Sequence, residues 1–280
     1  MGLYILWVKV VKNHTMRLTA IISFAFLTIA SSLSASIALA TAIEDAYALA
    51  AQPDTVFNNE QLLVKRERNN GSVSRKTWIK FDLSSFSLSA STGATLNLKI
   101  SDPVYDPSSP SSHSVNVYAL NANFTASAGE LGSDWTDELL TFNNAPGNDS
   151  SYHSTDSSDT SFLGSFTTQS SGPTSNVGTI YSFEFNNLST YTNSGDSTIT
   201  LILTTSSPGD SNLKFASSEN IQIAEALNND GDPNNDIPAV TGPELQFSVV
   251  PEPAHATLLL GLAAGWLVSR RKLGGVGPRL

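Results

Sequence analysis

Between Arg75 and Ser85 the side chains Lys76, Trp78, Lys80 and Asp82 fall on one face of a period-two pattern, and Thr77, Ile79, Phe81 and Leu83 fall on the other. Such alternation predicts a strand with one buried face. The second face sets two ammonium groups beside an indole. That combination suits plain solvation, and it also suits contact with sugars. A second chemically loaded stretch runs from Asn228 to Asp236, where Asp230, Asp232 and Asp236 surround Gly231. Hard oxygen donors at alternating positions, with a glycine for a tight turn, are what Ca²⁺ requires. No Glu closes the run as in an EF-hand, and an exposed acidic turn has the same composition.

Little else points to catalysis. His113 and His153 lie in polar stretches and are expected to be exposed loop residues. There is no Gly-x-Ser-x-Gly elbow, no paired-histidine zinc motif and no phosphate-binding glycine loop. Carboxylates are plentiful, but without a motif to position a pair they are expected to solvate the surface. The chain is therefore expected not to be an enzyme.

The elements that must position these residues are strands. Gln61 to Arg66, Ala94 to Ile100, Val115 to Ala119, Tyr181 to Phe185, Ile199 to Leu203 and Leu245 to Val249 all alternate, and Ile43 to Ala48 is short and apolar-acidic. Turn chemistry such as Gln52-Pro53-Asp54 and Asn69-Asn70-Gly71 separates them. No long 3.6-residue stripe occurs before residue 250. The pattern predicts an all-β protein, an antiparallel β-sandwich in a single domain over 43–250. Its core is expected to include Ile79, Phe81, Leu96, Leu98, Leu201 and Phe247. Gly147 to Ser161, polar and rich in Ser and Asp, is expected to be a mobile excursion.

Charge divides the chain. The whole carries a formal charge of −10, and only eight of its 15 basic residues lie between Ile43 and Val250, with all but one of its 25 acidic ones. So acidic a body repels nucleic acid, which is excluded as a partner. There is no cysteine, hence no disulfide framework. Residues 1–42 read as a secretory signal peptide: Lys9, Lys12 and Arg17 precede an apolar run from Leu18 to Leu33, with Ala38-Leu39-Ala40 or Ala40-Thr41-Ala42 as the small-residue cleavage pattern. Met16 is an alternative start.

The other end is distinctive. Pro251-Glu252-Pro253 is followed by an apolar run from Ala256 to Val268 and then by Arg270-Arg271-Lys272. The run is shorter than the ~20 residues of an ordinary spanning helix. Basic residues just beyond it place the body on the outer side of the membrane. Residues 251–273 resemble the PEP-CTERM sorting signal of Gram-negative bacteria, with 274–280 as an extension. The resemblance implies recognition and cleavage by an exosortase, transient membrane association through residues 256–268, export to the cell surface or beyond, and a link to exopolysaccharide. An ordinary short C-terminal anchor is the alternative.

The body has its own resemblance. Asp45-Ala46-Tyr47, Pro53 to Phe57, Leu63-Val64-Lys65, Arg75 to Ser84, Ala94 to Leu98, Val115 to Tyr118, Asp134-Trp135-Thr136 with Leu140 to Pro146, Phe215 to Asn220 and Pro243-Glu244-Leu245 follow one another in the order seen in the DNRLRE domain, also classed as carbohydrate-binding module family 96. Phe142 stands where that family usually has Trp, and Ser218 where it often has Arg. The resemblance implies a jelly-roll-like β-sandwich that binds acidic polysaccharide, with Lys65, Arg75 and Lys80 as the matching cations and Trp78 as a stacking surface. The expected function is thus an exported, exosortase-sorted matrix or surface protein that binds polysaccharide. A structural matrix protein without glycan affinity is the first alternative, and a polysaccharide-degrading enzyme the second.

Overall fold

The alternating segments become strands in the computed structural model, which describes residues 36–59, 61–68, 71–88, 92–101, 112–169, 178–209, 212–220 and 242–249. The described strands are β1 (Ser36–Leu49), β2 (Gln61–Val64), β3 (Arg75–Asp82), β4 (Ala94–Lys99), β5 (Ser112–Leu120), β6 (Thr160–Gln169), β7 (Ile180–Phe185), β8 (Thr198–Thr205), β9 (Leu213–Ala216) and β10 (Glu244–Val249); one helical turn, α1 (Leu188–Tyr191), precedes β8. Asp230, Asp232, Asp236 and Pro251, Glu252, Pro253 lie outside the described residues.

Eight strands form one sheet in the order β6-β5-β8-β3-β1-β10-β4-β7, and β2 pairs with β9 in a small second sheet. The strand ladders that can be followed in register are antiparallel. The large sheet curls until its edges approach each other. Phe166 on β6 lies 6.3 Å from the ring of Tyr181 and 6.1 Å from that of Phe183, both on β7. The result is a nearly closed, barrel-like sheet. The small sheet lends Leu62, Val64, Leu213 and Phe215 to the same interior.

β1 joins the two halves of the curl. Its first part lies beside β10, where the Ala42 amide donates to the Pro243 carbonyl at 3.1 Å. Its second part pairs with β3, and the register slips between Ala42 and Glu44. This bulge inserts one residue and reverses which side the even-numbered positions face. Ala38, Ala40 and Ala42 therefore point into the main core, whereas Ala46 and Ala48 point outward into a second cluster. Ile37, Leu39 and Ile43 stay exposed. The strand thus begins at Ser36, inside the stretch that the sequence reads as signal peptide.

The interior matches the sequence pattern. Ile79, Phe81, Leu96, Leu98, Leu201 and Phe247 all belong to the main core. Register in β3 is as alternation requires, with Ile79 opposite Leu201 and Phe81 opposite Ile199. The outer face of β3 is where the structure departs from expectation. Lys76 and Trp78 are wholly buried and Lys80 nearly so, while Asp82 is exposed. The segment between β5 and β6, residues 121–159, folds back over this face. Its Trp135, Leu140, Phe142 and Ala145 close a second cluster with Trp78, Ala46, Ala48 and Ile202.

Candidate functional site

The covering layer is pinned by the side chains expected to be open. Trp78 donates its indole N–H to the Pro146 carbonyl at 2.9 Å, and Trp135 donates its own to the Thr200 hydroxyl at 3.0 Å. Buried indoles need such a partner, and both have one. The Lys80 ammonium donates to the Trp135 carbonyl and lies 5.1 Å over that residue's ring. Lys76 reaches further along the layer. It donates to Asn148 Oδ1 at 2.7 Å, to Asp149 Oδ1 at 3.1 Å and to the Ser154 carbonyl, with the Phe142 ring 5.2 Å below.

Burial drives the electrostatics here. Desolvation pushes the Lys76 ammonium down to about 8, against the pull of Asp149. Lys80 is lowered for the same reason, opposed by Glu44, Asp196, Asp134 and Asp137. Burial alone would raise Asp149, but the hydroxyls of Ser154 and Ser151 and the Lys76 cation outweigh it and hold the carboxyl below its ordinary value.

These contacts correct the expected binding face. Trp78 and Lys80 lie beneath the loop layer and present no surface to a glycan. Lys65 and Arg75 sit elsewhere, joined to each other by paired main-chain hydrogen bonds of 3.1 and 2.9 Å where β2 meets β3. Arg75 donates to the Val73 carbonyl and to Asn212 Oδ1, at 2.9 and 2.8 Å. Its parity in β3 is opposite to that of Trp78 and Lys80, so the four residues do not converge. The physical reason is the cover: alternation tells which residues share a face, but not whether a distant loop lies over it. His113 needs the same correction, because it lies in β5, is buried, and has its pKa lowered by desolvation. His153 is exposed as expected.

The layer instead opens a groove on its own outer side, with a volume of about 460 Å³. The exposed ring of Tyr152 forms its aromatic wall, backed by the buried Phe142 with ring centroids 6.4 Å apart. Asn143, Asp149, Asp156 and Asp159 also line it. Glu130 shapes its floor by accepting the Gly147 amide at 2.7 Å and the Ser127 amide at 3.0 Å. Asn143 is held by its own amide, which donates to Pro53, and by a side-chain bond to Asp54 at 2.7 Å. Ring faces beside acceptor oxygens can meet the C–H and hydroxyl faces of a sugar. Sequence reasoning missed this groove. The available signal was the presence of Trp135, Leu140 and Phe142 in a segment otherwise built from turn residues.

A further acidic group lies apart from the groove. Asp45, on β1, is fully buried, and Glu219 lies beside it in the turn after β9. Burial and the Glu219 carboxylate push Asp45 up to about 8. Among the described residues no group of three or more His, Cys, Asp or Glu side chains is placed to hold a metal by itself.

No family model matches this chain, and a search of curated proteins returns no match.

Proposed function

We propose that this chain is an exported surface or matrix protein whose jelly-roll-like antiparallel sandwich binds polysaccharide along the Phe142–Tyr152 groove. The observation that carries this reading is the groove itself, where the exposed Tyr152 ring, backed by the buried Phe142, stands beside fixed amide and carboxylate oxygens. The ordered motifs of the DNRLRE-like body and the Pro251-Glu252-Pro253 tail support export, sorting by an exosortase, and a place in the polysaccharide matrix outside a Gram-negative cell. The carboxylates of Glu130, Asp149, Asp156 and Asp159 line the groove, and together with the buried state of Lys80 and Trp78 they favour a neutral, hydroxyl-rich glycan over an acidic one. Ca²⁺ at Asp230, Asp232 and Asp236 remains part of the proposal.

A structural matrix protein without glycan affinity is the second reading. The cations and indole on the outer face of β3 serve its packing, and this favours that alternative. Calorimetry against neutral glucan and alginate at two salt concentrations separates the two. The binding reading expects heat with the neutral glucan, little salt dependence, and a loss of about tenfold or more in Tyr152→Ala, as stacking on an exposed ring implies. Lys99→Ala, on β4, serves as control. Absence of heat with both glycans would leave the structural reading.

A further inference from the structure

Among the described residues, the one buried carboxylate that the fold leaves half satisfied is Asp45. Its Oδ2 accepts the Ser218 amide at 2.8 Å. Its Oδ1 is buried and receives no hydrogen bond from an N–H or hydroxyl donor among the described residues. The side chain projects from β1 on the same side as Ile79, its partner across the β1–β3 ladder. What lies beside it is a second carboxylate, Glu219, whose Oε1 accepts the Ser218 hydroxyl at 2.6 Å. Two acidic side chains thus face each other across one serine, one fully buried and the other exposed.

Nearby acids are treated differently. Glu44 and Asp137 form a second acidic pair, and Lys80 acts on both. Among the described residues no basic side chain acts on Asp45 in the same way; Glu219 acts on it both as a charge and through a side-chain hydrogen bond, and Ser218 donates to it. Two carboxylates so placed do not both stay charged unaided: without metal a proton relieves the pair, and a cation between them displaces that proton. Hard carboxylate oxygens select a hard divalent ion, and Ca²⁺ tolerates irregular sites completed by main-chain carbonyls and water.

We propose that Asp45 Oδ1 and Glu219 together bind one divalent cation of the Ca²⁺ class, tying β1 to the turn that follows β9. Two carboxylates are its side-chain ligands, and solvent and main-chain oxygens complete the shell. Neither residue belongs to the Asn228–Asp236 run, and neither lines the Phe142–Tyr152 groove.

The test uses the full chain, freed of metal with EDTA and dialysed, then titrated with CaCl₂ while melting temperature and heat are recorded. The site predicts a melting temperature higher by about 5–10 °C at a hundredfold excess over Kd. Glu219→Gln, a change at an exposed side chain, should weaken Ca²⁺ binding at least tenfold. Asp45→Asn should abolish it, leaving a melting temperature that CaCl₂ does not move. Asp230→Ala with Asp232→Ala should leave intact the part of the response that Glu219→Gln weakens. A parent protein indifferent to Ca²⁺ would overturn the proposal. So would a response that survives both Glu219→Gln and Asp45→Asn, or one lost only in the Asp230 and Asp232 variant.

Discussion

The Lys76 ammonium and the Asp149 carboxylate stand 3.1 Å apart, the lysine wholly buried and the aspartate a quarter exposed. This pair clamps the loop layer to β3 from beneath. Its lysine has a folded pKa of about 8, below the ordinary 10.5. Between those values the unfolded chain binds more protons than the folded one, so this group makes stability rise with pH from about 8 to about 10.5. Below 8 both states are charged and the burial penalty is present in full. Lys76→Met should remove that rise. Urea midpoints at pH 8 and pH 10 for the two proteins check it, and equal slopes would show that the lysine is not buried as a cation.

Phe81 fills the main core with none of its surface exposed. Phe81→Ala should cost about 3–5 kcal/mol. Equilibrium urea unfolding measures this directly, and a loss below about 1 kcal/mol would mean that the ring is not in the core.

Gly147 has a φ of +66°, and a Cβ there would stand 2.7 Å from the Thr160 side chain and 3.0 Å from that of Leu120. Both the backbone and the neighbours resist a side chain. Gly147→Ala should therefore destabilise by about 1–3 kcal/mol. Because Gly147 also donates to Glu130 in the groove, the variant should loosen the groove before the barrel melts. Hydrogen exchange at residues 142–152 against that in β8 tests the order.

Ala38, Ala40 and Ala42 lie in the core, and β10 has β1 as a neighbour. A chain beginning at Ile43 loses three buried methyl groups, a cost of at least about 2 kcal/mol. If the chain is exported as proposed, its stable mature form should therefore retain Ser36–Ala42, with any signal cleavage ahead of Ser36. Intact-mass analysis of protein recovered outside the cell measures the N-terminus. A mature chain that begins at Ile43 and melts no lower than one beginning at Ser36 would contradict this.

The parts of the molecule that alternate strictly were legible in the sequence. Ile79 and Phe81 could be placed inside because β-branched and aromatic residues recur every second position. The β6 strand was not legible, because Ser161, Gly164, Ser165 and Thr167 dilute its pattern and an extra residue, Leu163, between Phe162 opposite Tyr118 and Gly164 opposite Val117 breaks its alternation. The start of β1 was hidden for another reason: alternating alanines that fill a narrow core look the same as the small residues of a cleavage site. The burial of Lys76, Trp78 and Lys80 depends on Trp135, Phe142 and Asn148, which lie far along the chain. No local pattern reports such a cover. The groove followed from that cover and shared its invisibility.

β1 and β10, the first and last of the described strands, are immediate neighbours in the sheet. Contacts between such distant parts of a chain form slowly, because the intervening loop must close before they gain anything. As the polypeptide is made from its N-terminus, one edge of β1 stays without its neighbour until β10 has been synthesised. During that same interval its open edge is exposed to pairing with other chains, a hazard that a holding chaperone would relieve.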